Sequence, residues 1–300
     1  MQTRRSKTNY YLHKYLLIPA RIFRISVVDT IRHDGVEHAG YLAFLSILSL
    51  FPSLIFLVSI VGLLGATEAG IAVINQALAS APGDMSAALY PRINEIISGP
   101  ENSFLTIAII GVIWTASSSV EGCRTILNRA YRVTFAPPYL LRRLISIFEF
   151  FVIIFVIVSG IISFIILPNI IKFIEAKFGL DLTGIDLDAF YLRQILLLII
   201  LMGAVSLLYY ILPNAKQKIT QTVPGSILAV IMWILFGKLF ELYLNHFPQV
   251  NFVYGSLAGI IASLMFFYLI SLVFIFGAEF NYHFHRAYKV FLKKPSAKNN

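Results

Sequence analysis

Six long stretches without a single Asp, Glu, Lys or Arg constrain the fold of this chain more than any other feature. They are residues 38–67, 102–120, 150–171, 194–215, 219–237 and 242–278. A helix that crosses the hydrocarbon core of a bilayer needs about 20 apolar residues. Only 13% of the 300 residues are charged, whereas soluble domains have about 25%. The sequence therefore predicts an all-α, polytopic membrane protein built as a bundle of six transmembrane helices.

The spans divide the chain into three parts. Residues 1–37 are expected to form a basic amphipathic segment at the cytoplasmic surface, residues 38–280 the membrane domain, and residues 281–300 a basic cytoplasmic tail. The individual spans are predicted near 40–64, 102–121, 148–170, 193–214, 220–243 and 253–279.

The basic residues predict the orientation of these spans. Of the 24 Lys and Arg residues, 19 fall before the first span, between spans two and three, between spans four and five, or after the last. The positive-inside rule then places both termini in the cytoplasm. The net charge of +9 is interpreted as this topology signal, and we expect no nucleic-acid partner because no soluble binding fold accompanies it.

Two further elements are predicted outside the spans. Residues 19–32, with Pro19 at a first helical position, form a basic amphipathic helix. This helix either lies on the cytoplasmic leaflet or docks on the bundle as an ordinary solvated helix; its basic side chains are Arg21, Arg24 and Arg32. Residues 68–98 are predicted to form a helix pair over the extracytoplasmic mouth, either as a lid or as packing.

The predicted spans carry small and hydroxyl residues, and no ionisable residue lies near a span centre. In the first span Ser46, Ser49 and Ser53 share a face beside Pro52. These hydroxyls could bond across helix contacts and to carbonyls that the proline leaves without a donor. Alternatively, they line a path for an amphipathic substrate. In the last span Gly255, Gly259 and Ser263 recur every four residues, which is typical of close helix packing.

Histidines cluster at both ends of the membrane domain. His33, Glu37 and His38 precede the first span, and His283 and His285 follow the last. They could form a metal or proton site if the first and last spans are neighbours. Their spacing differs from the HExxH pattern of zinc peptidases, so the sequence predicts neither a metal nor another cofactor.

Four stretches resemble conserved parts of a known family. They are YLAFLSILSLFPSLIFL (41–57), WTASSSVEGCRTILNRAYRV (114–133), LYYILPNAKQKITQTVPGSILAVIMW (208–233) and YGSLAGIIASLMFFYLISLVFIFGAEFNY (254–282). Together they resemble the YihY/BrkB family of bacterial inner-membrane proteins. The resemblance implies six helices and a multi-pass protein of the inner membrane. The family was once named ribonuclease BN, but a hydrolytic metal site needs clustered ligands in an aqueous pocket, so ribonuclease activity is not expected here.

These observations favour a non-enzymatic, transport-type protein that handles a lipid or another amphiphile. Arg124, Arg129 and Arg132 would bind an anionic headgroup at the cytoplasmic face, and the serines beside Pro52 would line its path. Nucleotide hydrolysis is not expected because the chain has no GxxxxGK[ST] phosphate loop, and catalytic residues are not expected because the serines have no histidine or lysine at their depth. The alternative is a scaffold that binds another membrane protein or a second copy of itself without transporting anything.

Overall fold

The computed structural model describes residues 18–65, 91, 104–135, 137–178, 189–246 and 257–292. These residues form seven α-helices and one short 3-10 helix, and none of them lies in a β-strand. The helices are α1 (Ile18–Arg32), α2 (Gly35–Gly65), α3 (Phe104–Ala130), α4 (Tyr139–Phe178), α5 (Ala189–Ile211), α6 (Val223–His246) and α7 (Ala258–Leu292), and the 3-10 helix is Ile219–Gln221.

Each predicted span overlaps one of the helices α2 to α7, although the helices α5 and α6 differ from their spans, since α5 ends at Ile211 and α6 begins at Val223. Among the described residues, Val223–His246 and Ala258–Ala287 are long and apolar enough to cross a bilayer. The crossing of the other four helices, and the orientation of all six, stay predictions. Helix α4 has 40 residues, which corresponds to about 60 Å, so it is longer than the roughly 30 Å hydrocarbon core.

Large apolar side chains are exposed along the helices. On α6 they include Ile227, Ile231, Ile234, Leu235, Leu239 and Leu242. A contiguous apolar surface of this kind is costly in water and marks a surface that another apolar phase covers. The exposed face of α6 therefore agrees with a helix that contacts lipid.

The described residues belong to two compact units. The first contains those within 1–47, 122–137 and 202–300, and the second those within 48–121 and 138–201. In the second unit the start of α4 packs on α3. The Arg143 guanidinium lies 4.1 Å from the ring centre of Trp114 and donates to the Ser118 hydroxyl at 3.1 Å, while the Ser146 hydroxyl donates to Glu121 at 2.7 Å.

In the first unit, α1 and α6 pack against α7. Phe23 contacts Phe276 edge to face with 5.1 Å between ring centres. The backbones of α6 and α7 approach so closely at Gly225 and Gly277 that a Cβ atom on Gly225 would lie 2.2 Å from the carbonyl oxygen of Gly277. The Asn281 side chain accepts the Gly225 backbone N–H at 2.6 Å. It thus satisfies a donor that the first turn of α6 would otherwise leave unpaired.

Helix α1 agrees with the helix predicted over residues 19–32. Its buried face consists of Ile22, Ser26 and Thr30, and both hydroxyls bond to carbonyls one turn earlier. The basic residues Arg21, Arg24 and Arg32 are exposed, and so are Phe23, Val27, Val28 and Ile31. Contact of this helix with the membrane surface stays a prediction, and the helix pair predicted over 68–98 lies outside the described residues apart from Pro91.

Candidate functional site

The candidate site lies in the first unit, where α3 ends and Arg132 follows. The amide of Val133 donates to the Asn128 carbonyl at 2.8 Å and that of Arg132 to the Arg129 carbonyl at 3.1 Å. This pair of bonds is the Schellman motif, whose left-handed residue is usually glycine. Arg132 occupies that position with φ 58°. A bulky residue keeps this conformation only where its surroundings fix it.

The side-chain contacts of Arg132 fix its left-handed backbone conformation. The Arg132 guanidinium donates to both carboxylate oxygens of Glu279 on α7, each at 2.8 Å, and approaches Asp29 on α1 at 3.3 Å. The Glu279 side chain is 1% exposed, and a buried carboxylate needs a partner of this kind. Burial alone would lower the pKa of Arg132, but the hydrogen bonds and charge of Glu279 raise it above its usual value.

Two histidines complete the group. His283 Nε2 lies 2.9 Å from Asp29 Oδ2, and His33 Nδ1 lies 3.4 Å from Glu279 Oε1. His33 Nδ1 also lies 2.7 Å from the Asp29 carbonyl oxygen, which identifies this nitrogen as the one that carries a proton. We call Asp29, His33, Arg132, Glu279 and His283 the charged cluster.

The charged cluster contains only part of the histidine group predicted from the sequence. Because α1 and α7 are neighbours, His33 and His283 come together. Glu37 is exposed, and His38 Nε2 lies 3.1 Å from an Arg129 nitrogen. His285 lines a pocket beside the cluster.

Sequence reasoning did not assign a role to Asp29 or Glu279. A signal for both was present, since Asp29 and His33 are four residues apart, and so are Glu279 and His283. Acid–histidine pairs at this spacing share one face of a helix. This spacing did not predict the cluster, because the sequence does not show that the face with Asp29 and His33 meets the face of α7 with Glu279 and His283.

Three members of the cluster could together hold a metal ion. The donor atoms of Asp29, His33 and Glu279 lie within 4.8 Å of one another. Both oxygens of Glu279 already accept from Arg132, so a metal cation would have to compete with the guanidinium for them. We therefore interpret the cluster as a network of ion pairs.

A pocket of about 640 Å³ adjoins the cluster and shares Arg132 with it. We call it the basic pocket. Its lining is Tyr131–Phe135, Asn214–Gln217, Gln221, Asn281, Tyr282, His285 and Arg286, and none of these described residues is acidic. Lys216 and Arg286 are exposed and form no ion pair with any residue in the described part of the chain. An anion in the pocket would therefore meet cations that are not already neutralised.

The end of α3 also fixes one wall of the basic pocket. Asn128 donates from Nδ2 to Asn214 Oδ1 at 3.0 Å, and its own Oδ1 accepts the Asn214 amide at 2.7 Å. Arg124 is buried and donates to the Leu212 carbonyl at 3.2 Å. These bonds hold the segment between α5 and α6, which includes Lys216, against the end of α3.

The three arginines predicted to bind a headgroup therefore occupy different environments. Arg132 lines the basic pocket, while Arg124 lies buried beneath its wall. Arg129 forms an ion pair with Asp34 and contacts His38, whose pKa is lowered by burial and by the Arg129 charge. Headgroup binding by any of the three stays a prediction.

The residues predicted for a substrate path and for helix packing lie elsewhere. Ser46, Ser49, Pro52 and Ser53 are half-buried on α2, and Pro52 lies inside the continuous helix. Gly259 is exposed with open space around its Cα, and the Ser263 hydroxyl bonds to the Gly259 carbonyl of its own helix. Gly255 lies outside the described residues. Both roles stay predictions.

Apolar helices with exposed hydrophobic faces, together with ion pairs at the helix ends, define the class as all-helical integral membrane proteins. Within that class the chain belongs to the BrkB family, because the family described as virulence factor BrkB matches residues 27–300.

The chain is also similar in sequence to several individual proteins. The chain is 30% identical over 264 residues to a ribonuclease-like protein, YfkH, of Bacillus subtilis, covering 86% of this chain and 93% of YfkH. It is 25% identical over 245 residues to a UPF0761 membrane protein of Pseudoalteromonas translucida, covering 81% and 78%. A UPF0761 membrane protein of Vibrio vulnificus is 26% identical over 264 residues, covering 84% and 79%. No solved structure matches the chain.

Proposed function

We propose that this protein binds the anionic headgroup of a lipid or another amphiphile in the basic pocket and moves it by a transport-like mechanism. The proposal places the protein in the bacterial inner membrane as a multi-pass protein with cytoplasmic termini. It assigns no catalytic step and no nucleotide hydrolysis. The supporting observation is the basic pocket, in which Lys216 and Arg286 have no acidic partner among the described residues.

The size and charge of the basic pocket fit such a ligand. A volume of about 640 Å³ lies within the range of roughly 300–1,000 Å³ that is usual for small-molecule sites. Basic side chains near an anionic leaflet each contribute about 1 kcal/mol to its attraction. The exposed apolar helices keep the acyl chains in lipid while the headgroup enters the pocket.

The hydroxyl residues of α2 supply the second part of the proposal. Ser46, Ser49 and Ser53 would offer hydrogen bonds to a headgroup without a buried charge, which is costly within a bilayer. Pro52 interrupts the hydrogen bonding of the helix beside them.

A non-transporting scaffold is the second candidate. It is favoured by Gly259 and Ser263, which are exposed on α7 and leave space for a helix of another protein or of a second copy. Gly259→Leu would then abolish co-purification of the partner. Transport by the purified protein alone would contradict this candidate.

The test is lipid movement in reconstituted vesicles that contain fluorescent phosphatidylglycerol. We expect the wild type to expose inner-leaflet probe to an external quencher. A Lys216→Gln/Arg286→Gln variant should lose this activity because the pocket loses two cations that have no acidic partner in the described part of the chain. Lys238→Gln is the matched control, since Lys238 is also exposed but lies in α6 outside the pocket.

The serine path is tested in the same vesicles. Ser49→Leu/Ser53→Leu should stop movement of the probe while headgroup binding remains. If the wild-type protein behaves like empty vesicles with both anionic and zwitterionic lipids, the transport proposal is wrong.

A further inference from the structure

We infer that the basic pocket binds its anion together with a proton, and that the charged cluster takes up this proton. The inference rests on the proposed function, because it treats the basic pocket as an anion site. It adds a second ligand, the proton, and a route by which the two influence each other.

The route is the shared arginine. Arg132 lines the basic pocket, and its guanidinium also binds both oxygens of the buried Glu279. The guanidinium also donates to the Arg129 carbonyl at the end of α3 at 3.1 Å, which helps to hold it in place. Arg132 therefore links the charge of the cluster directly to the pocket.

The charge of the cluster depends on its histidines. With His33 and His283 neutral, the two carboxylates outweigh Arg132 and the cluster carries a net charge of −1. Each protonated histidine adds one positive charge, so that the cluster reaches +1 when both are protonated. Histidine is the side chain that normally changes charge between pH 5 and 8.

The two histidines differ in the charged groups that surround them. His283 faces Asp29 at 2.9 Å and Glu279 at 3.9 Å, with Arg132 beyond them. His33 faces Glu279 but also shares a small cavity with the cationic Arg129 and with His38. We therefore assign the proton to His283.

Binding and protonation must then help each other. An anion in the pocket adds negative charge beside Arg132, which makes a proton on His283 more favourable. By linkage, the same coupling makes the anion bind more tightly as the pH falls. Where one full proton is taken up per anion, affinity changes about tenfold per pH unit.

His285 is the competing explanation because it lines the pocket itself. A proton on His285 would attract an anion directly, without the cluster. His283→Gln and His285→Gln separate these routes, since the two residues lie two positions apart on the same helix, with His283 in contact with Asp29 and His285 in the lining of the pocket.

The experiment measures the Kd of dihexanoyl phosphatidylglycerol for the full-length protein in detergent, between pH 5.5 and 8. This probe suits the purpose because its phosphodiester keeps one negative charge throughout that range. We expect the wild-type Kd to rise at least fivefold from pH 5.5 to pH 7.5. The dependence should persist in His285→Gln and disappear in His283→Gln.

A second measurement does not depend on any variant. Calorimetry of the wild type at pH 6.5, in buffers of different ionisation enthalpy, gives the number of protons taken up per probe bound. We expect a clearly positive number, and a value of zero would overturn the inference. Glycerophosphoglycerol, which has the same phosphodiester without acyl chains, shows whether the anion source is a lipid or a free phosphodiester.

The outcomes separate the inference from the proposed function. Binding with an unchanged Kd across the pH range, or a dependence that disappears in His285→Gln and persists in His283→Gln, overturns the inference alone. The absence of binding at every pH overturns both.

Discussion

Arg132 occupies a helix-end position where glycine is the usual residue. The left-handed conformation costs a bulky residue about 1–2 kcal/mol, and φ at Arg132 is 58°. Its guanidinium compensates by pairing with Glu279, which is almost completely buried. A buried carboxylate that loses its partner costs about 3–5 kcal/mol, so the ion pair outweighs the backbone strain.

The substitution Arg132→Gly removes both the backbone strain and the ion pair with Glu279, and it shows which of them has the larger effect on stability. Glycine relieves the strain but leaves Glu279 without its guanidinium, so we expect a net loss of about 1–4 kcal/mol in the free energy of unfolding. Denaturant unfolding in detergent measures the change. The double variant Arg132→Gly/Glu279→Gln should recover a large part of the loss, because it removes the unpaired charge. Equal stability of the single and double variants would contradict this account.

At the scale of elements, the contact between α6 and α7 holds the site together. Gly225 and Gly277 let the two helices approach, and Asn281 joins the start of α6 to Tyr131 at the end of α3. Charged members of the site lie on the same stretch of α7 as these packing residues. The residues that pack α7 against α6 and the charged residues of the site thus lie within one segment of α7, residues 277–283, which is about two turns long.

Gly225→Ala is expected to destabilise the protein by about 1–3 kcal/mol, since overpacking a tight contact forces the helices apart. The added methyl would lie 2.2 Å from a backbone oxygen that cannot rotate away. Thermal unfolding of the purified protein measures the effect. Gly259→Ala is the matched control because open space surrounds Gly259 and alanine favours a helix more than glycine does. A comparable loss there would contradict overpacking as the cause.

At the scale of the whole molecule, the positive-inside rule predicts that both termini are cytoplasmic. Cys123 is the single cysteine, so Cys123→Ser gives a background for site-specific labelling. New cysteines at positions 6, 86 and 296 probe the two terminal segments and the loop between the first two spans. In right-side-out spheroplasts, a membrane-impermeant maleimide should label only position 86. Permeabilisation should expose the other two, whereas labelling of position 6 in sealed spheroplasts would contradict the cytoplasmic N-terminus.

The sequence predicted the helices far better than the site, for a physical reason. The helices α2 to α7 each overlap a predicted span, because apolar length is a local property that a short window reveals. The cluster depends on contacts across long separations, such as Asp29 with His283, which are 254 residues apart. The sequence grouped His33 with His283 because they lie at the two ends of the membrane domain. Glu279 and Arg132 gained their roles in the cluster only from the packing of α7 beside α1 and the end of α3.

The separation of Arg132 from Glu279 also has a consequence in time. The two partners are 147 residues apart in the chain, and a ribosome adds about 5–20 residues each second. Some 7–30 s therefore pass between the synthesis of the arginine and that of the glutamate that stabilises its turn. During that interval the turn after α3 lacks its compensating partner, so it reaches its final form only after the last helix has been made.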